Sequence, residues 1–165
     1  MPNRKTHALV GTVGGGVYAA HRAGKTFRAN PLVRVAGGAV GGALGGALPD
    51  IFEPAISSWH RGPGHSVAAA TAIVSSGNLL TQWEEFCLKK AEQCRARPMT
   101  LVRDTQGALF VPVPPNPLSQ LLSKFGEIFW EFLAGFLNGL MAGYTSHLAL
   151  DALTQRSIPL LTRGF

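Results

Sequence analysis

The stretch AGFLNGLMAGYTSHLALDA, Ala134 to Ala152, sets glycine at 135, 139 and 143, then histidine at 147 and aspartate at 151, all four apart. Because 3.6 residues make one helical turn, a spacing of four keeps these five positions on one face of an α-helix. Small residues at that interval let two helix backbones approach closely, in membranes above all. A matching surface stands far earlier in the chain. AGGAVGGALGGALPD, Ala36 to Asp50, carries two ladders, Gly37-Gly41-Gly45 and Gly38-Gly42-Gly46, and ends on an aspartate. The two stretches predict helices that cross in contact and deliver Asp50 to His147 and Asp151.

Working outward, helical spacing recurs and the alternation typical of strands is nearly absent. A first helix is expected over about Thr6 to Arg22. A second covers about Pro31 to Leu48, ended by Pro49, which lacks a backbone N–H. A third starts near Ser66, an N-cap, and runs with a break at Ser75 to Asn78 into Leu79 to Arg97. Pro98 to Pro117 holds five prolines and reads as a loop or a short hairpin around Leu101 to Val113. The last helix is expected over Pro117 to Thr154. In it Leu118, Leu121, Leu122, Phe125, Ile128, Phe129, Phe132, Phe136, Leu140 and Tyr144 repeat at three and four, which predicts a buried stripe continued by His147 and Asp151. The expected fold is mainly α: a single-domain helical bundle, residues 1–165, of about five or six helices with the Pro-rich segment inserted before the last.

Composition narrows the environment. Apolar residues make up 46% and charged residues 15% of the 165, against roughly 25% charged in an ordinary soluble protein, and mean hydropathy is +0.16. Such a surface suits lipid or a partner better than water. Net charge is +6, and Arg4, Lys5, Arg22, Lys25, Arg28 and Arg34 all precede the first acid, Asp50. That basic third is suited to anionic lipid or another phosphate carrier; nucleic acid ranks below, because no recognition helix or aromatic platform accompanies it. The apolar runs Ala8 to Ala20, Val35 to Leu48 and Phe132 to Tyr144 are each shorter than the ~18 to 20 residues of a spanning helix, which leaves crossing and peripheral attachment both open. Arg4 and Lys5 followed by an apolar run also resemble a signal peptide, the lesser reading because five glycines or prolines interrupt residues 2 to 16. Cys87 and Cys94 lie two turns apart, about 10.5 Å of helical rise, too far for a disulfide.

Chemistry-bearing residues cluster in three places. His147 and Asp151, at i and i+4, can reach one ion. HRGPGHS, His60 to Ser66, sets two imidazoles about a Gly-Pro-Gly turn. Asp50 just past a helix end meets a dipole that repels anions, a penalty that a nearby cation would remove. Nitrogen and oxygen donors together suit zinc or manganese. Gly24-Lys25-Thr26 echoes a phosphate loop but lacks the first glycine, since position 19 is alanine.

His7, LPDI at Leu48 to Ile51, HRGPGHS, and AGYTSHLALDALTQRSIPLL at Ala142 to Leu161 together resemble the YdjM family of inner-membrane, metal-dependent hydrolases. The blocks follow in order across nearly the whole chain. The resemblance implies a helical metal-dependent hydrolase distantly similar to zinc-dependent phospholipase C and the P1-type nucleases. By motif, His7, Asp50, His65, His147 and Asp151 would be metal ligands and His60 a further ligand or proton-transfer group. The family pattern tends to read PDID, whereas Phe52 stands here where the second aspartate belongs, with Glu53 beside it, and no later HxxxE follows. One or two ions are therefore expected, zinc first and manganese second.

The expected activity is hydrolysis of a phosphodiester, phospholipid-like, at the inner membrane or peripherally on its cytoplasmic face. Asp50 or His60 would act as general base and Arg61 would hold the substrate phosphate. The competing expectation is a non-catalytic membrane-associated protein whose ion only ties helices together. Either allows an oligomer.

Overall fold

The computed structural model describes residues 4–26, 30–52, 66–96, 99–104, 107–112 and 116–153. They form α1 (Arg4–Gly24), α2 (Pro31–Phe52), α3 (Val67–Ser75), α4 (Gly77–Arg95), an antiparallel hairpin of β1 (Met99–Asp104) and β2 (Gly107–Pro112), and α5 (Pro117–Ala152). The protein is mainly helical. Local chemistry accounts for the helix starts. Pro31 opens α2 behind Asn30, whose side-chain oxygen accepts from the Val33 amide at 3.3 Å. Ser66 caps α3 by accepting from the Ala69 amide, and Asn116 caps α5 by accepting from that of Leu118, both at 3.1 Å. Between α3 and α4 the break is slight: Ser76 donates to the Ala72 carbonyl at 3.0 Å and accepts from the Leu80 amide at 3.1 Å. The i to i−4 hydrogen bonding thus bridges the junction, and α3–α4 makes one bent rod.

Glycine decides how α1, α2 and α5 pack. The Gly37-Gly41-Gly45 ladder lies on the backbone of α5, where an added Cβ would come within 3.0 Å of backbone atoms of Phe132 and Phe136, of Phe136 and Leu140, and of Leu140 and Tyr144, respectively. The second ladder, Gly38-Gly42-Gly46, faces α1 and meets Gly15, Gly11 and His7. Gly42 touches both neighbours: a Cβ on it would stand 2.8 Å from the Gly11 carbonyl carbon, and one on Gly143 would stand 2.8 Å from the Cα of Gly42. The expected crossing of α2 with α5 is therefore present. The glycines of α1, Gly11 and Gly15, extend it to a three-helix contact.

Two sequence expectations need correction. The first concerns the buried stripe of α5. Leu118, Leu121, Leu122, Phe125, Ile128 and Phe129 are exposed, Phe125 to 69%, and the buried face is instead Glu131, Ala134, Gly135, Asn138, Gly139, Gly143, His147, Leu148 and Asp151. From Phe132 onward, where backbones touch, large side chains cannot enter the interface, and Leu118 to Phe129 stand before that stretch of contact. The same inversion holds on α1 and α2, which expose Leu9, Val13, Val17, Val40 and Leu44 while burying glycine and alanine. Second, Pro49 does not end α2; the helix continues to Phe52 with Pro49 fully buried. The carbonyl that a mid-helix proline leaves without its amide partner is the one four residues back, and that residue is Gly45. The helix nonetheless passes through, with Gly45 packed on the backbone of α5. Asp50 accordingly lies inside the last turn, not past it.

The basic N-terminal third is also less free than its charge suggests. Arg34, fully buried, and Arg22 both pair with Glu84 of α4, and Arg34 donates to the Thr26 hydroxyl at 3.0 Å. A lone arginine inside PLVRVAG was the available sign of this pairing. The Glu84→Gln change should leave the Arg34 charge sealed and uncompensated, at about 3–5 kcal/mol, while the Arg34→Met/Glu84→Met double change should recover most of that loss. Thermal unfolding of the three proteins in detergent measures it; equal melting of Glu84→Gln and parent would show the pair to be dispensable. Cys87 and Cys94 are free thiols, as their spacing requires, and Cys87 is buried as a packing residue.

Candidate metal centre

Three helix ends meet where the glycine contact finishes. α1 contributes His7 near its start, while α2 and α5 contribute Asp50, His147 and Asp151 from their last turns. The close approach is what lets them meet: a Cβ on Gly46 would lie 3.1 Å from the His7 carbonyl carbon, so any side chain at 46 would push α1 away. One ligand atom each from His7, Asp50 and His147 lies within 4.8 Å of the other two. Asp151 stands between the imidazoles, 3.5 Å from His7 Nε2 through one carboxylate oxygen and 3.5 Å from His147 Nε2 through the other. His147 Nε2 is 3.9 Å from Asp50. The two rings stack with centroids 3.8 Å apart.

The donors of His7, Asp50 and His147 stand close enough together to share one cation, and Asp151 is also within hydrogen-bonding reach of His147. Two donors that each sit about 2.0–2.1 Å from one tetrahedral ion stand about 3.4 Å apart. The orientation of His147 adds to this. Its Nδ1 donates to the Gly46 carbonyl at 2.6 Å, which orients the ring and leaves Nε2 facing the carboxylates. Two helix C-termini and two carboxylates also make the local field negative. His7, Asp50 and His147 thus offer two imidazole nitrogens and a carboxylate, a donor set that suits divalent ions of the zinc or manganese class, with Asp151 beside them.

The centre is nearly sealed. The side chains of His147 and His7 are 0% and 2% exposed and that of Asp151 6%, whereas Asp50 reaches 15% and is the group facing outward. The Thr145 hydroxyl bonds to the Met141 carbonyl and that of Ser146 to the Gly143 carbonyl, within their own helix. Of the residues singled out from sequence, the structure brings together His7, Asp50, His147 and Asp151. His60, Arg61 and His65 lie outside the described residues. Sequence reasoning did not anticipate the Gly46 carbonyl as the partner of His147, since a backbone acceptor leaves no mark in residue identity.

A family model described as YdjM inner membrane protein matches residues 1–162. Neither the curated proteins nor the solved structures yield a match. With 162 of 165 residues covered, the chain belongs to the YdjM family of inner membrane proteins.

Proposed function

We propose that this protein is a membrane-associated, metal-dependent hydrolase of phosphodiesters, with His7, Asp50, His147 and Asp151 holding the ion. The observation that supports the reading is the convergence of His7, Asp50 and His147 from three helices, one ligand atom of each within 4.8 Å of the other two, with Asp151 3.5 Å from both imidazoles. When bound, a divalent cation supplies Lewis acidity, polarising a phosphoryl oxygen and making water acidic near neutral pH. The chain's own residues do the rest. His147 is oriented by Gly46, the packed helices exclude bulk water from one side, and Asp50 presents a carboxylate to the open side where a proton can be accepted. His60 as proton-transfer group, His65 as a further ligand and Arg61 as phosphate holder rest on sequence position.

A second reading has its own support. Three of the four donors are sealed, as in a structural site whose ion only joins helices. One experiment separates the two: elemental analysis of detergent-purified protein, followed by hydrolysis assays on bis(p-nitrophenyl) phosphate and on phospholipid vesicles. The hydrolase reading expects bound zinc or manganese and turnover that chelation abolishes and added metal restores. His60→Ala is expected to keep the metal and lose turnover. Bound metal with no turnover on any diester selects the structural reading, and no bound metal ends both.

A further inference from the structure

Charge divides the helices at two levels. No Asp, Glu, Lys or Arg falls between Lys5 and Arg22, between Arg34 and Asp50, between Arg61 and Glu84, or between Glu131 and Asp151. These four stretches lie on α1, α2, the α3–α4 rod and α5. At one end their boundaries meet in ion pairs: Arg22 and Arg34 on Glu84, and Arg95 on Glu131 at 3.2 Å. At the other end stand His7, Asp50, His147 and Asp151. From Arg22 to His7, Arg34 to Asp50 and Glu131 to His147 the rise is about 24 Å.

That interval is a few ångströms short of the ~30 Å hydrocarbon layer. The apolar outer surface makes up the difference, because exposed Leu32, Ile128 and Phe129 continue it past the sealed Arg34–Glu84 pair. Between the layers α1 and α2 turn Leu9, Val13, Val17, Val40 and Leu44 outward, α3–α4 exposes Leu79 together with Thr71, Ser75 and Asn78, and the Thr12 and Thr145 hydroxyls bond to carbonyls of their own helices, as lipid requires. Trp83, Phe86, Trp130 and Phe129 make an edge-to-face run with centroids 5.3–5.8 Å apart at the ion-pair level, where an aromatic belt belongs. Of these rods, α2 alone has the length and hydropathy of a span by itself; the others bring polar residues that the bundle buries.

Lys and Arg are unevenly shared between the two ends. Among the described residues, Lys25 follows α1, and Lys89, Lys90, Arg95, Arg103 and Lys124 stand around the end of α4, the hairpin and the start of α5, all toward the ion-pair end. The opposite end has Arg4 and Lys5. Cytoplasmic segments carry the excess of such residues.

We infer that the protein crosses the bilayer in four passes, α1, α2, α3–α4 and α5, with the Arg22–Arg34–Glu84 layer toward the cytoplasm and the His/Asp centre at the opposite face. Lipid of the outer leaflet is then the phosphodiester placed within reach of Asp50, a clause that rests on the hydrolase reading. Single cysteines in a Cys87→Ala/Cys94→Ser background test the arrangement in spheroplasts with a membrane-impermeant maleimide. Phe52→Cys and Leu153→Cys, 74% and 85% exposed positions at the metal-centre end, should label in intact spheroplasts. Lys25→Cys and Lys124→Cys should label only after detergent. An epitope tag before Met1, read by protease digestion of intact spheroplasts, gives the same answer with both native cysteines in place and should be removed. The reverse pattern, equal labelling of all four positions, a protected tag, or release of the protein by alkaline carbonate overturns the inference. Metal content of the same membranes keeps the two proposals apart. Reversed labelling with metal retained sinks the orientation alone, whereas the expected labelling without metal sinks the hydrolase reading alone.

Discussion

Gly42→Leu is expected to be among the most damaging single changes in the bundle, because position 42 lies where α1, α2 and α5 meet. Its missing side chain cannot be replaced by local rearrangement. A Cβ there would stand 2.8 Å from the Gly11 carbonyl carbon and 3.0 Å from the Cα of Gly15, and backbone atoms, unlike side-chain ends, cannot swing aside. The helices would have to part, and with them the Gly38, Gly139 and Gly143 contacts on either side. Overpacking in a rigid core costs about 1–3 kcal/mol, and a contact made of backbone on both sides should stand at or above the top of that range. Gly139→Leu acts on the same interface, since its Cβ would stand 2.7 Å from the Gly38 Cα. Gly14→Leu is the control: it lies on α1 beside Gly15, yet a Cβ there meets nothing within 4 Å. Thermal unfolding in detergent should therefore rank Gly42→Leu and Gly139→Leu far below the parent and leave Gly14→Leu near it. Equal melting of all three would remove the packing scheme.

Removing a ligand should strip the metal and destabilise the bundle together. Asp151→Asn keeps the shape of the side chain while removing its charge, and His147→Ala also deletes the bond to Gly46. Loss of a group that merely orients a ligand lowers metal affinity by roughly 10–100-fold, so loss of the ligand itself should exceed that. Binding energy of the ion is also folding energy, since only the packed helices assemble the site. The parent should accordingly melt at a higher temperature with metal than with chelator, and chelator should bring the parent down to the Asp151→Asn protein. Were the cluster only a set of neighbouring polar groups, Asp151→Asn would change little and chelator nothing. Full metal content and unchanged melting in both variants would place the ion elsewhere.

The helices and the meeting of Asp50 with His147 and Asp151 were legible for a common reason, whereas His7 entered only through the family resemblance. Each helix announces itself through local signals, such as Ser66 and Asn116 as caps or Pro31 and Pro117 as openers, and those depend on neighbours in the chain. His147 and Asp151 share a face because of a spacing of four, which is also local. Asp50 was placed beside them because both glycine ladders run into these residues, a repeat long enough to read as a surface.

What failed depended on environment. The periodic Leu118 to Phe129 stripe carries the same pattern whether water or lipid lies outside, and periodicity marks a face without saying which way it points. The sequence by itself determined where helices begin, which backbones are smooth enough to touch, and which donors stand at their ends. Only the tertiary structure decided that the large apolar side chains face outward, that α2 runs through Pro49, that Glu84 pairs with both Arg22 and Arg34, and that the Gly46 carbonyl orients His147. Each of these joins residues far apart in the chain, and backbone contact at Gly42 and Gly46, which no residue type encodes alone, fixes where those partners stand.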